Sequence, residues 1–476
     1  VLPKDINARL EQFTELFESA AKPFILQVQF DIKPLPSLRL LKHLPETRLK
    51  QFYFSRPHEN FLLTGIGSVL EKEFSGSSRL KEAEDFFIHW KNKTHCISQD
   101  GYAEKSGQIF LFQSTFFPKA TGDLWCGFAP VSLVLPKYLI QSAEDNTVLS
   151  INILVEPHSA FTKISDDVAR EYSWIISQIH VLDNRSTIPD QLEEVYHQPV
   201  SADRWTGLVQ RGVEGIKEKS FEKVVLSSRM QLRSSREFNV FAITERLESN
   251  YPNCTTFLLR NETGKTFLGA TPEEFAQVNN GILHCDALAG SIQRGDSEFE
   301  DAQFGRQLLE SQKDRSEHQY VVEFLRKALQ SLVTNLSYPE SPDLLKLQNV
   351  QHLYTPFEGT LRQDTSLFRI IEKLHPTPAV GGIPVPRAVE FIAAHENYER
   401  GCYASPLGFL TSAGEMDLVV GLRSGLFDGN QATLFAGAGI VEDSDPATEY
   451  DEIMMKFKPM LNAIQPQDFH AESLQS

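Results

Sequence analysis

The chain has 476 residues, 41% hydrophobic and 23% charged, an ordinary soluble globular composition with material for one large core or two medium ones. Its formal net charge of -17 argues against nucleic acid as a partner, since no basic stripe is present to neutralise phosphates, and leaves any anionic substrate to be drawn by a local group of Lys and Arg. Five scattered cysteines (Cys96, Cys126, Cys254, Cys285, Cys402) without a CxxC pair exclude a disulfide framework and a zinc site.

In chain order, the opening VLPKDINARLEQF has no basic segment followed by an apolar one, so no secretory signal is expected. The most apolar stretch, Leu124 to Ile140, is broken by Pro130, Pro136 and Lys137 and is disqualified as a membrane span. A cytoplasmic enzyme is the expectation. Residues 1–195 mix amphipathic helical stretches with short apolar strands such as QIFLFQSTFF and VLSINILVEP, and read as an N-terminal scaffold that shares one fold with the rest of the chain.

The pattern sharpens from residue 196 to 465. Ser201 is placed to cap a helix whose inner face carries Trp205, Val209, Val213 and Ile216. A strand comes next in FEKVVLSSRMQLR, where alternation puts Lys223, Val225, Ser227 and Arg229 on one side. Further strands are predicted in TTFLLR, KTFLGATPEEFAQV and GILHCDALAG, then, after a helical stretch, in VQHLYTPFEGTLR, DLVVGLRSGLF and TLFAGAGIVED. Strands and helices come without regular alternation, which favours an α+β fold with a large antiparallel-rich β-sheet core flanked by helices. The polar tail 466–476 is expected to fray.

Two pairs of acids stand at one-turn spacing on helical patterns: Asp314 with Glu317, and Glu449 with Glu452. Four oxygen donors directed at one point suit a hard divalent cation such as Mg2+. Glu452 with Lys456 is equally an ordinary i,i+4 ion pair, worth only a few tenths of a kcal/mol. In DLVVGLRSGLF, alternation places Asp417, Val419, Gly421 and Arg423 on one face, and an inward Arg flanked by glycine calls for a planar anion such as a carboxylate. Gly437 and Gly439 share a strand face where absent side chains let a ligand approach the backbone, although glycines also serve close packing.

Taken together, EKVVLSSR, FLGATPEEF, ALAGS, KDRSEHQYVV, LHPTPAVGG, RGCYASPLG, VVGLRS, FAGAGIVEDSDPATEYDE and the closing Lys456 resemble the chorismate-utilising enzymes, and among them the isochorismate synthases. The resemblance spans about residues 200 to 460 in unbroken order, and the N-terminal 200 residues give the chain the length of menaquinone-pathway members more than of the shorter siderophore-pathway ones. It implies that Glu317 and Glu452 bind Mg2+, with Asp314 and Glu449 assisting through metal-bound water. Lys223 matches the base that activates water, and Glu273 the acid. Arg423 and Tyr403 match residues that hold the enolpyruvyl carboxylate, and Lys456, Gly437 and Gly439 match further carboxylate contacts. Gly290 and Ser291 match a loop beside the ring, and His375 a position near the site.

The implied substrate, chorismate, is a dianion with a ring carboxylate, an enolpyruvyl carboxylate and a C4 hydroxyl. Adding water at C2 while the C4 hydroxyl leaves needs a base, an acid and an electron-withdrawing cation, which Lys, Glu and Mg2+ supply. As base, Lys223 has to shed its proton, which burial or a nearby cation such as Arg229 favours; as acid, Glu273 has to hold its proton, which burial and neighbouring carboxylates favour. Lys223 together with Ser291 points to water, not ammonia, as the nucleophile, so no glutaminase subunit is expected. A salicylate synthase, which goes on to eliminate pyruvate, is the alternative product class. A non-catalytic aromatic-acid sensor is the alternative protein class, and loss of Lys223, Glu273 or an acidic position would have been its signature.

Overall fold

The computed structural model describes residues 2–44, 49–98, 107–119, 122–143, 146–182, 195–346 and 350–465. The tail expected to fray lies outside them. Among these residues two sheets, one of 13 strands and one of 10, form the centre of the α+β architecture, with helices against them. Among the described residues every strand pair is antiparallel except Phe24–Ile32 with Thr94–Ser98.

N-terminal strands enter both sheets. Gln51–Arg56 pairs with Thr255–Arg260 in the larger sheet, and Ile109–Ser114 pairs with Pro406–Thr411 in the smaller. Strand choice tracks composition: Lys223–Ser234 is rich in β-branched and aliphatic residues, and its Val224 and Leu226 are fully buried beside Ile440 and Ala438 of Gln431–Ile440. Burying side chains of this size stabilises the fold by about 1.5–3 kcal/mol each. The helix Ala202–Lys217 is capped by Ser201, whose hydroxyl accepts from the Arg204 amide, and its Trp205, Val209 and Ile216 are buried as the 3.6 period requires, with Val213 half-buried.

Two segments expected as single strands are each divided between the sheets. KTFLGATPEEFAQV gives Thr266–Thr271 in the larger sheet and Glu274–Asn279 in the smaller, with Pro272 and Glu273 in the passage. DLVVGLRSGLF likewise gives Met416–Val420 in the smaller sheet and Ser424–Asp428 in the larger. Proline lacks the N–H a central strand needs, and Arg423 takes a positive φ of 47°, a left-handed conformation that breaks alternation. Asp417 therefore does not share a working face with Arg423. It is held by Arg56, whose two terminal nitrogens each donate to one Asp417 oxygen at 2.6 Å. The two passages run side by side, since Thr266–Thr271 pairs with Ser424–Asp428 and Glu274–Asn279 with Met416–Val420.

Candidate active site

A cavity of about 110 Å3 opens where the chain passes between the sheets, so Glu273 and Arg423 both face it. Its lining includes Gly290 and Ser291, Asp314 and Glu317, Tyr403, Gly437 and Gly439, and Glu452 and Lys456. These residues are far apart in the chain, and the topology that joins the two sheets brings them together.

Asp314 and Glu317 stand in the first turns of Gln312–Gln330, a helix capped by Ser311, which accepts from the Asp314 amide and donates to the Asp314 carboxylate. Glu449 and Glu452 stand in Pro446–Ile464, which begins with Asp445 as cap and proline in its first turn. Gly439 faces the first of these helices: a Cβ there would lie 2.7 Å from Glu317 Oε1 and 3.0 Å from Lys223 Cε. Only glycine leaves room for the contact beneath it, in which Lys223 Nζ donates to Glu317 Oε1 at 2.8 Å. Lys223 is 1% exposed and lies behind Glu317, not on the cavity surface itself.

Glu273 lines the cavity wall. Burial pushes its carboxyl up to about 7, against the pull of Arg423, Lys223 and Lys456 and with help from Asp286. Its proton is therefore held far more readily than that of an ordinary exposed carboxyl. Arg423 lines the same cavity from a left-handed backbone conformation, a strain of the kind that persists where the surroundings fix a functional group. Burial lowers its guanidinium, while Tyr403, Glu452 and Glu273 favour the charge. Tyr403 stacks on Phe435 with ring centres 5.3 Å apart, and burial pushes its hydroxyl up to about 12, so it donates as a neutral phenol.

The acidic residues are not aimed at one point. Lys456 donates to Glu452 Oε1 at 2.5 Å and to the Gly437 carbonyl at 2.8 Å, and although burial works the other way it holds Glu452 below the usual carboxylate range. Glu449 does not line the cavity: it is 1% exposed, accepts from Ser444 Oγ at 2.7 Å and pairs with Lys313 at 3.3 Å. Asp314, Glu317 and Glu452 do share the lining, and burial together with repulsion from Glu317 raises the Asp314 carboxyl. Among the described residues no three His, Cys, Asp or Glu side chains converge as metal ligands do. The donor set is nonetheless three oxygen ligands in one cavity, each compensated by a hydroxyl or an ammonium that a cation would replace, and this chemistry fits a hard divalent ion.

His375 is not part of the cavity. It packs edge-on against Phe116 with ring centres 5.7 Å apart, and burial of its ring pushes its imidazole down to about 3, so it is a neutral packing residue. Arg229 is also set apart: its guanidinium lies over the Tyr398 ring at 5.2 Å.

Two features of the site were not picked out from the sequence pattern. His352, from the strand Val350–Leu361, lines the cavity with Nδ1 2.8 Å from Ser291 Oγ and 3.3 Å from the Gly290 carbonyl. A carbonyl only accepts, so the proton sits on Nδ1, and Nε2 is a buried acceptor without a partner. Burial and then Arg423 and Lys456 push this imidazole down to about 3. The second feature is the buried pair of Glu396 and Arg400. Arg400 donates to the Val225 and Val380 carbonyls at 2.7 and 2.8 Å and to Glu396 at 2.6 Å, while Glu396 accepts from the Ser227 amide at 2.7 Å. The pair ties the strand of Lys223 to the loop at Val380, which lines the cavity. An i,i+4 Glu and Arg around Tyr398 were the available signal, but the helix stops at His395, so helical spacing alone did not mark them.

Residues 10–465 match the family model described as chorismate binding enzyme. The chain is 32% identical over 87% of its length, and 88% of the relative's, to "Isochorismate synthase MenF" of Bacillus subtilis. It is 31% identical, over 93% of itself and 90% of the relative, to "Salicylate biosynthesis isochorismate synthase" of Pseudomonas aeruginosa. Its fold is similar to that of the menaquinone-specific isochorismate synthase MenF from Escherichia coli, with a TM-score of 0.77 and 24% identity over 97% of this chain and 100% of the other.

Proposed function

The chain belongs to the chorismate-binding enzyme family, and on that footing we propose that it is an isochorismate synthase, an isomerase converting chorismate to isochorismate. The observation that carries the reading is the cavity that Glu273 and Arg423 both line, with buried Lys223 behind Glu317. A non-catalytic sensor would be expected to have lost Lys223, Glu273 or an acidic position, and all of them are present.

In this reading Arg423 and Tyr403 hold the enolpyruvyl carboxylate, and Gly437 and Gly439 leave space for the substrate against the strand. Lys223 opens its pair with Glu317 and, as the neutral amine, takes a proton from the attacking water, whose oxygen joins C2. The ring double bonds shift, and the C4 oxygen takes the Glu273 proton and departs as water. One water enters and one leaves, so substrate and product are isomers. Glu317, Glu452 and Asp314 would hold Mg2+, which when bound withdraws electron density from the ring through its carboxylate. Glu449, behind them, acts through Lys313 and Ser444 on the position of that helix.

Water as the nucleophile is supported by Lys223 with Ser291, and on that ground the enzyme works without a glutaminase subunit. Full-length similarity to the B. subtilis MenF supports a place in menaquinone biosynthesis, although the P. aeruginosa relative of salicylate biosynthesis matches over as much of the chain. No helix among the described residues is long and apolar enough to cross a membrane, and a cytoplasmic location suits the scattered cysteines without a CxxC pair. Incubation with chorismate and Mg2+ tests the activity: isochorismate accumulates without pyruvate. Pyruvate release with salicylate fluorescence would replace this assignment by a salicylate synthase.

A further inference from the structure

A second and larger cavity, of about 600 Å3, adjoins the catalytic one and shares Pro272, Ser291, Arg423 and Lys456 with it. Its outer wall is formed by residues 249–254, at and beyond the end of the helix Val240–Asn250, and by one face of the last helix from Met455 to Pro459. Three further cations line it, Arg294, Lys346 and Lys458, and none of its described lining residues is Asp or Glu. In a chain of net charge -17 this is a marked separation of charge. The catalytic cavity, in contrast, carries Glu273, Asp314, Glu317 and Glu452 among its cations.

The outer cations are anchored to different degrees. Arg294 Nε and Lys346 Nζ lie 2.5 and 2.8 Å from the two oxygens of Asp301, which sits outside the lining and fixes both side chains at the rim. These two cations on one carboxylate leave one positive charge in excess. Lys458 is exposed, one turn or less from Lys456, and adds a second.

We propose that this cavity is a capture vestibule for the dianionic substrate, in which Lys458 and the Arg294–Asp301–Lys346 cluster attract the carboxylates and pass them inward to Arg423 and Lys456. The inference rests on the functional reading above, which supplies the dianion. A low-dielectric cleft lined by one sign of charge concentrates the opposite sign and accelerates capture, while an overall negative field would slow it. Arg423 and Lys456 stand at the junction of the two cavities, so they meet the substrate in both. A capture role predicts an effect on kcat/KM and little on kcat.

Lys458→Glu and Lys458→Gln are compared with Lys163→Glu, which changes net charge by the same amount as Lys458→Glu on an exposed helix position outside both cavities. Turnover of chorismate with Mg2+ is measured at ionic strengths of about 0.02 M and about 0.5 M, with thermal melting as a check of folding. Lys458→Glu is expected to lower kcat/KM about three- to tenfold at low salt with kcat unchanged, the deficit closing at high salt. Lys458→Gln shows a smaller loss in the same direction, and Lys163→Glu matches the unaltered enzyme. An active enzyme whose Lys458 variants keep its kcat/KM and salt dependence, or lose kcat equally at both salts, overturns the vestibule alone. An unaltered enzyme that does not consume chorismate overturns the functional reading and this inference with it.

Discussion

Lys223 Nζ lies 2.8 Å from Glu317 Oε1, directly beneath Gly439, where a methyl group would stand 2.7 Å from that same oxygen. The proposed base and a proposed cation ligand are thus one ion pair, and a glycine from a third element keeps the space they need. Displacing either group at rest breaks their contact.

Gly439→Ala tests that coupling. The clash is with the end of a flexible Glu side chain, so the fold tolerates the change and the melting temperature stays close to that of the unaltered protein. A displacement of the Lys223–Glu317 pair by about 1 Å is expected to reduce kcat/KM about 100-fold. An alanine enzyme of undiminished kcat/KM would separate the pair from the chemistry.

Glu273 gives a pH prediction whose sign comes from its raised value. Its carboxyl titrates at about 7 in the folded protein, above its ordinary value of 4.5, so between these limits the folded state binds more protons and stability falls as pH rises. Glu273→Gln removes that penalty. The variant melts at a higher temperature than the parent at pH 8, and the gain disappears towards pH 4.5, as differential scanning calorimetry at both pH values shows. In the parent, an acid role makes kcat/KM fall as pH rises through about 7.

The carboxylates differ in their exposure to the cavity, and so should their variants. Chelation abolishes turnover and added Mg2+ restores it. Glu452→Gln raises the Mg2+ concentration for half-maximal activity at least about tenfold, as expected when a ligand is lost. Glu449→Gln, which alters a residue held by Ser444 and Lys313 outside the lining, has the smaller effect. Equal shifts in a Mg2+ titration would return Glu449 to the ligand set.

His352 is expected to position the Gly290–Ser291 loop. His352→Ala leaves Ser291 Oγ and the Gly290 carbonyl without their shared partner, at a cost of about 1–3 kcal/mol. Because the loop then no longer presents Ser291 in a fixed place, kcat/KM falls about 10-fold or more while the protein remains folded. Steady-state kinetics with a melting curve distinguishes this from a general loss of structure.

Much of this was legible in the sequence where local periodicity carries the information. Spacing marked the helices bearing Asp314 and Glu317, and Glu449 and Glu452, and alternation marked the Lys223 strand. Alternation failed at Pro272–Glu273 and at Gly421–Arg423, where the chain changes sheets and one residue takes a left-handed conformation. Those breaks are where the proposed acid and the carboxylate-binding Arg reside, so the rule gave way at the site itself. Which partner a Glu chooses is a tertiary matter: spacing aligns Glu449 with Glu452, but Ser444 and Lys313 turn the former away from the cavity. His352 had no local signal, because its partners on the Ile282–Gln293 strand are 61 and 62 residues distant.

The proposed chemistry turns on a water molecule that Lys223 deprotonates, so that the cavity exchanges one hydroxyl for another taken from solvent. Turnover of unlabelled chorismate in oxygen-18 water, with mass spectrometry of the product, probes that exchange at the reacting atom. Isochorismate carrying one oxygen-18 atom is the expected product, together with near-complete loss of product formation in folded Lys223→Gln. Isochorismate formed without the label would contradict the exchange, since the C4 oxygen would then have migrated within the ring.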